Sequence, residues 1–219
     1  MAKTQPEPVR DPASDNLLAP ENCVIALIDY QDTQFGSVTT SSRERLLLNI
    51  RVLCEASTRW DVPVVVSTVG VGLGANEGTV EEIMARLPEG TKEIDRTGDN
   101  AWEDPDFRAA VEATGRRKVV IGGLWTEVCV TFPTLDMRRE GYEVYPVADA
   151  IAGVSPEAHS NALERMRQAG ATPITALQFA SELMRNWARP SANNLREIMG
   201  WYFPEKSELD ASESGGVRR

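Results

Sequence analysis

Short runs of apolar residues alternate along the chain with longer segments in which apolar residues recur every three or four positions. The runs are rich in β-branched residues, which predicts strands buried on both faces. Predicted strands cover 23–28, 62–67, 92–95, 119–121, 142–147 and 172–175. Predicted helices cover 43–60, 79–87, 106–114, 127–140, 156–169 and 176–189. The alternation predicts an α/β fold, a three-layer α/β/α sandwich around a mostly parallel, doubly wound sheet of about six strands.

The pattern divides the chain into three parts. Residues 1–18 are rich in Pro, Asp, Glu and Ser, which predicts a flexible N-terminal arm. Residues 19–190 carry the alternating pattern and are long enough for one domain with a substantial core. Residues 191–219 hold an aromatic cluster, 201–203, and a polar end. We expect this tail to be partly disordered or docked on a neighbouring subunit.

The chain carries a formal net charge of −10, which argues against a nucleic-acid partner because phosphate binding needs a basic face. Its apolar runs are too short to span a bilayer, and its first residues lack a signal peptide's apolar core, so we expect no membrane association. The three cysteines are Cys23, Cys54 and Cys129. Their odd number and spacing suit reduced thiols in a cytoplasmic protein.

His159 is the one histidine of the chain. A single imidazole excludes multi-histidine metal sites and leaves one candidate base for a Ser-His-Asp or Cys-His triad. His159 shares a predicted helix face with Leu163 and Met166, which favours a capping or packing role. We therefore predict neither a metal ion nor another cofactor.

Three polar side chains follow the carboxyl ends of predicted strands. Asp29 follows the first strand, Arg96 follows the third, and Cys129 lies in the first turn of the helix after the fourth. Open α/β sheets bind ligands at that edge, so these three side chains can converge. Lys118 enters its strand at the opposite, amino end and cannot easily join them.

Cys129 and Asp29 each have two interpretations. Near a helix N-terminus, the helix dipole and free backbone N–H groups favour the thiolate that a nucleophile requires. Alternatively, Cys129 is a small apolar core residue, as free cysteines mostly are. Asp29 either faces the crevice at the sheet edge or only hydrogen-bonds the loop after it.

A glycine-rich segment spans residues 70–78, with the sequence Gly-Val-Gly-Leu-Gly-Ala-Asn-Glu-Gly. It matches a loose dinucleotide-binding pattern but follows the second predicted strand rather than the first. The next helix begins only near Thr79, so no helix N-terminus is in place for a pyrophosphate. We interpret the segment as a mobile loop over the site.

Several motifs together resemble the isochorismatase-like cysteine hydrolase superfamily. They are Leu-Ile-Asp-Tyr-Gln around Asp29, Gly-Leu-Trp-Thr-Glu-Val-Cys-Val around Cys129, and Gly-Tyr-Glu-Val-Tyr-Pro-Val-Ala-Asp-Ala over 141–150. The segments 100–107 and 165–171 are most similar to the bacterial YcaC-type hydrolases. The resemblance covers most of the chain, and it implies a homo-oligomer, a tetramer or an octamer, that acts on a small-molecule substrate.

The resemblance also implies an active site. Its elements are an Asp-Lys-Cys triad, in which Asp29 and Cys129 match two members, and a cis peptide bond between Leu124 and Trp125. The backbone N–H groups of Trp125 and Cys129 would form an oxyanion hole. Arg96 stands in the region of the family lysine, with Lys92 as the alternative. An arginine cannot act as a base, but its charge can stabilise a thiolate and a carboxylate.

Two further expectations concern ligands. Nicotinamidases of this superfamily hold a metal with an Asp-x-His…His set, which a chain with one histidine cannot build. Phe35, Trp102 and Trp125 are candidates to line a small apolar pocket for a compact, partly aromatic or aliphatic substrate.

The residues and the resemblance predict a cysteine hydrolase that cleaves a C–N bond of a small carboxamide-like substrate through a thioester. Two alternatives stay open: a vinyl-ether hydrolysis like that of isochorismatase, which needs no cysteine, and a catalytically silent oligomeric protein. A redox role is disfavoured, because no resolving cysteine lies at C-x-x-C spacing.

Overall fold

Five parallel strands form the central sheet of the computed structural model, which describes residues 4–216. The strands are β1 (Cys23–Ile28), β2 (Val64–Val69), β3 (Glu93–Arg96), β4 (Lys118–Gly123) and β5 (Glu143–Pro146). Their order is β3-β2-β1-β4-β5, so the chain builds outward from β1 to one edge and then continues on the other side of β1. The winding reverses between β1 and β4, where open α/β sheets bind ligands.

Helices cover both faces of this sheet. They are α1 (Asp32–Ser37), α2 (Arg43–Trp60), α3 (Glu81–Met84), α4 (Pro105–Ala113), α5 (Thr131–Arg139), α6 (Pro156–Gln168), α7 (Ala176–Met184) and α8 (Ala192–Gly216). Alternate residues of β1 point to opposite faces, so Ile25 and Leu27 pack with α2, α7 and α8, and Val24 and Ala26 pack with α4, α5 and α6. The predicted three-layer, doubly wound α/β/α fold is confirmed.

The predicted sixth strand, 172–175, is reduced to one β-bridge between Val147 and Ile174. The Thr172 and Ile174 N–H groups still donate to the Val144 and Pro146 carbonyls at 2.9 Å each, and Pro173 between them, which has no backbone N–H, faces away from β5. The sheet of the described residues therefore ends at β5.

Part of the predicted N-terminal arm packs on the domain. Asp15 and Leu18 are buried, and Arg185 pairs with the Asp15 carboxylate and donates to the Leu18 carbonyl at 2.7 Å. The ammonium group of Lys118 donates to the Asp15 carbonyl at the amino end of β4. Residues 1–3 of the predicted arm lie outside the described residues.

Most of the C-terminal segment forms α8, which packs on α2 of the same chain. The Tyr202 hydroxyl donates to Asn49 Oδ1 at 2.9 Å, and the Arg51 guanidinium stacks 3.7 Å from the centre of the Trp201 ring. Phe203 remains exposed. Residues 217–219 lie outside the described part. Between residues 4 and 216, none of the helices combines the length and the apolar composition that crossing a bilayer requires.

Candidate active site

Asp29 directly follows β1 and is completely buried. Its backbone φ is 55°, in the left-handed region that a residue other than glycine adopts only at a cost of about 1 kcal/mol or more. The backbone N–H of Asp29 donates to the Ser67 carbonyl at 2.9 Å, which ties this turn to β2. A buried carboxylate on a strained turn at a sheet's carboxyl edge is typical of a functional site.

Arg96, the last residue of β3, reaches across the end of β2 to Asp29. Its Nη1 and Nη2 donate to the two Asp29 oxygens, each at 2.6 Å, and both side chains are buried. Burial disfavours the charged guanidinium, but the hydrogen bond and charge of Asp29 outweigh it and raise the pKa of Arg96. The pair therefore forms a rigid, bidentate unit at the switch point of the sheet.

Further groups that were not predicted from the sequence hold the guanidinium. Nη1 also donates to Ser67 Oγ at 3.0 Å and to the Thr68 carbonyl at 3.1 Å, and Nη2 donates to the Asp99 carbonyl at 3.1 Å. The one available signal was the polar Ser67-Thr68 pair near the end of the otherwise apolar β2. The two carbonyls carry no signal in the sequence, since every residue has one.

Cys129 is buried in a π-helical turn, Thr126–Val130, that leads from β4 into α5. Burial raises the pKa of its thiol well above the ordinary range, and the charge and hydrogen bond of Asp29 act in the same direction. The Trp125 backbone N–H and the Arg96 charge lower it to a smaller extent. The expectation that the helix N-terminus favours a thiolate is therefore wrong for the resting site, because burial and the Asp29 carboxylate dominate.

The resting site thus combines a neutral thiol with an adjacent ionised pair. Each Asp29 oxygen accepts one hydrogen bond from Arg96 and keeps a lone pair that can accept the thiol proton. Arg96 fixes the carboxylate in place and compensates its charge. This arrangement can remove a proton from Cys129 when an electrophile reaches the sulfur.

Trp125 is the predicted pocket residue that lies beside Cys129. The Leu124–Trp125 peptide bond is cis, and the Trp125 backbone N–H contacts the Cys129 sulfur. The half-buried indole donates from Nε1 to Ser37 Oγ of α1 at 2.7 Å. The site is therefore bounded on this side by the indole and by α1.

The other two predicted pocket residues lie on opposite faces of the sheet. Phe35 packs on Tyr30 in the core formed with α2, with ring centres 6.0 Å apart. Trp102 packs edge-on against Tyr142 in the other core, with ring centres 5.1 Å apart. Phe35 and Trp102 therefore belong to different layers of the fold, and the pocket that they would share with Trp125 stays a prediction.

Lys92 and Lys118 lie away from the site. Lys92 precedes β3 and is exposed, so Arg96 rather than Lys92 occupies the position beside Asp29. Lys118 is the first residue of β4 and so lies at the amino ends of the strands, opposite the site, as predicted. Within residues 4–216, no group of three or more His, Cys, Asp and Glu side chains is placed to hold a metal ion.

Hydrogen bonds fasten the glycine-rich loop to the turn after Asp29. The Gln31 amide donates to the Glu77 carbonyl at 2.6 Å and to the Val69 carbonyl at 3.2 Å, and it accepts from the Val69 N–H. The Asp95 carboxylate accepts from the Val71 and Gly72 N–H groups. Gln31 and Asp95, which are close in sequence to Asp29 and Arg96, therefore anchor both ends of this loop.

We expect Gly123→Ala to damage the site through the backbone. A Cβ at Gly123 would lie 2.6 Å from the Ile28 carbonyl oxygen, and this carbonyl accepts the Leu124 N–H. To relieve this clash, the turns that carry Asp29 and Cys129 must move, and we expect the free energy of unfolding to fall by about 1–3 kcal/mol. Urea unfolding measures that loss, and Gly36→Ala, whose Cβ would meet nothing within 4 Å, is the matched control. Equal stability of the two variants would contradict the prediction.

The chain is similar in sequence and in overall structure to known proteins. An isochorismatase domain model matches residues 23–178. The probable hydrolase YcaC of Escherichia coli is 32% identical over 192 residues, covering 87% of this chain and 91% of that protein. Among solved structures, YcaC from Pseudomonas aeruginosa with hexane-2,5-diol and covalent acrylamide has a TM-score of 0.82 at 30% identity, covering 91% of this chain and 98% of that one.

The crystal structure of Escherichia coli YcaC is similar to the same degree. It has a TM-score of 0.81 at 31% identity, covers 92% of this chain and 98% of its own, and is described as an octameric hydrolase of unknown specificity. The matched domain contains Asp29, Arg96 and Cys129. The chain is a hydrolase of the isochorismatase family.

Proposed function

We propose that this hydrolase cleaves the C–N bond of a small carboxamide-like substrate, with Cys129 as nucleophile. The observation that carries the proposal is the contact of the Cys129 thiol with a carboxylate that a buried arginine holds by two hydrogen bonds. A thiol, a proton acceptor and a group that orients the acceptor are the parts that nucleophilic catalysis needs.

Acylation begins when Asp29 takes the proton from Cys129. The sulfur forms a bond to the carbonyl carbon, and the carbonyl oxygen becomes an oxyanion. The backbone N–H groups of Trp125 and Cys129 stabilise this oxyanion, a contribution of roughly 3 kcal/mol per donor. The tetrahedral intermediate then expels ammonia or an amine, which receives its proton from Asp29, and leaves a thioester.

Deacylation reverses the roles. The Asp29 carboxylate takes a proton from water, the hydroxide forms a bond to the thioester carbon, and the sulfur leaves and regains the proton from Asp29. The products are a carboxylic acid and the free enzyme. Arg96 keeps its proton throughout, because the guanidinium pKa is raised, and it supplies a fixed charge and a fixed position for Asp29.

A neutral resting thiol is compatible with catalysis by this route. A thiolate would lie beside the Asp29 charge in a buried site, which burial and repulsion both disfavour. Proton transfer coupled to attack avoids that species as a stable state. The cysteine is then reactive towards an electrophile that fits the site and resistant to general oxidation.

The relative from Pseudomonas aeruginosa holds covalent acrylamide, a small carboxamide and a thiol-reactive electrophile. For this chain we infer that acrylamide reacts with Cys129. We expect it to label Cys129 at least about tenfold faster than Cys23 and Cys54 at neutral pH. Both control thiols are buried, and burial raises the pKa of each to about 12. Peptide mass spectrometry of the native protein measures the three rates, and denatured protein shows that all three thiols can react.

The same experiment separates the alternatives. Selective labelling of Cys129, followed by ammonia release in a screen of small primary amides, supports the amidohydrolase. Labelling of Cys129 no faster than the other two cysteines would leave the catalytically silent protein as the better hypothesis. Because Escherichia coli YcaC is described as octameric, we also propose that this chain forms a homo-oligomer, which light scattering tests.

A further inference from the structure

The single histidine contacts the turn that carries the nucleophile. His159 lies at the end of the first turn of α6, half-buried, and its Nδ1 is 2.9 Å from the hydroxyl oxygen of Thr126. Thr126 is completely buried and begins the π-helical turn three residues before Cys129. Leu163 and Met166 share the helix face, but the hydrogen bond goes beyond the packing role that the sequence suggested.

Thr126 is a fixed point of that turn. Its N–H donates to the Ala152 carbonyl at 2.9 Å, and its carbonyl accepts from Thr131 Oγ1 at 2.6 Å. The His159 contact adds the side chain to these two backbone bonds. A displacement of Thr126 is therefore transmitted to Cys129 within the same turn.

Glu127 places a carboxylate next to this contact. Its Oε1 accepts the Val154 N–H at 3.0 Å, whereas its Oε2 is buried and has no hydrogen-bond partner within the described residues. A Cβ on Gly153 would lie 2.7 Å from that Oε2 and 2.9 Å from the His159 Cβ. The unpartnered oxygen and the histidine therefore approach the same point beside Gly153.

We propose that His159 is a positioning residue that holds the Cys129 turn through Thr126, and that protonation of the imidazole moves its Nδ1 hydrogen bond from Thr126 to Glu127. The proposal rests on the function assigned to Cys129. In the neutral state the Thr126 hydroxyl donates to Nδ1, and the ring proton is on Nε2. In the imidazolium both nitrogens are donors, so Nδ1–H has two acceptors to choose between, the neutral Thr126 hydroxyl and the charged Glu127 oxygen, and the carboxylate is the stronger of the two.

Burial of the ring favours the neutral imidazole at physiological pH. Burial lowers the pKa of His159, and the Glu127 charge opposes this shift to a smaller extent. Among the described residues, Glu127 is the charged side chain that acts on this titration. The turn is therefore held at neutral pH and released in acid.

The test measures the rate of acrylamide labelling of Cys129 from pH 5 to pH 8 in four proteins: wild type, His159→Asn, His159→Leu and Thr126→Val. Asparagine offers an oxygen near the position of Nδ1 and does not titrate. We expect His159→Leu and Thr126→Val to lower the rate at pH 7.5 by at least about fivefold, and His159→Asn to restore most of it. From pH 7.5 to pH 5 the wild-type rate should fall at least about fivefold more than that of His159→Asn.

Internal controls and one spectrum make each outcome decisive. Continued protection of Cys23 and Cys54 shows that a variant is folded. Because the chain has one histidine, the imidazole ¹⁵N shifts report a single site, and the Nε2–H tautomer is expected. An Nδ1–H tautomer, or an acid fall in His159→Asn equal to that of the wild type, overturns the inference while Cys129 labelling still supports the proposed function. A wild-type protein that is not labelled at Cys129 overturns both.

Discussion

Cys129→Ala is expected to reduce amide hydrolysis by at least about 10⁴-fold, because the thioester cannot form without the sulfur. Cys129 is 6% exposed, so the substitution removes one buried atom and costs about 1 kcal/mol of stability. A loss of activity of that size cannot come from a stability change this small in a folded protein. The Asp29–Arg96 pair does not depend on the thiol and stays in place.

Cys54→Ala is the matched control, since it removes the same atom from a completely buried position in the core with α2. It should keep wild-type turnover and lose a similar amount of stability. The measurement is ammonia release from the best substrate of the amide screen, with urea unfolding of both variants. Turnover of Cys129→Ala near the wild-type rate would refute the thioester and favour direct attack by water, as the vinyl-ether alternative requires.

Much of the site could be predicted because its parts follow strands. A continuous apolar run predicts β1, and Asp29 directly follows it. Topology alone therefore places this carboxylate at the carboxyl ends of the strands, where Arg96 and Cys129 also lie. The ion pair between Asp29 and Arg96 is a direct contact between two of these side chains. Local sequence patterns were sufficient here, since parallel strands align their carboxyl ends.

What could not be predicted depends on tertiary burial. The pKa of Cys129 is raised because the thiol is enclosed beside Asp29, whereas a local argument registers only the helix N-terminus. Phe35 and Trp102 have similar aromatic character but lie on opposite faces of the sheet. The Tyr202 hydroxyl donates to Asn49 of α2, a residue 153 positions away in the chain. No pattern in the neighbouring sequence predicts any of these contacts.

Asp29→Asn is expected to abolish activity and to destabilise the protein. The amide cannot accept the thiol proton as a base, and Arg96 is left as a buried cation without its counterion. Breaking one side of a buried ion pair costs about 3–5 kcal/mol. Arg96→Gln should show the same two losses for the complementary reason, because it leaves the carboxylate in a buried site without a compensating charge.

The double variant, Asp29→Asn with Arg96→Gln, separates catalysis from stability. It removes both charges and keeps amide groups that can bond each other and Ser67, so it should be more stable than the sum of the single losses predicts, by at least about 2 kcal/mol. It should remain inactive, since the base is still missing. Urea unfolding of the wild type, the two single variants and the double variant gives the free energies of the double-mutant cycle. The rate of acrylamide labelling of Cys129 reports whether the thiol is still activated. If the double variant regained both stability and labelling, the pair would act only as a scaffold. If its loss of stability equalled the sum of the two single losses, the two charges would not stabilise each other. The bidentate geometry predicts neither result.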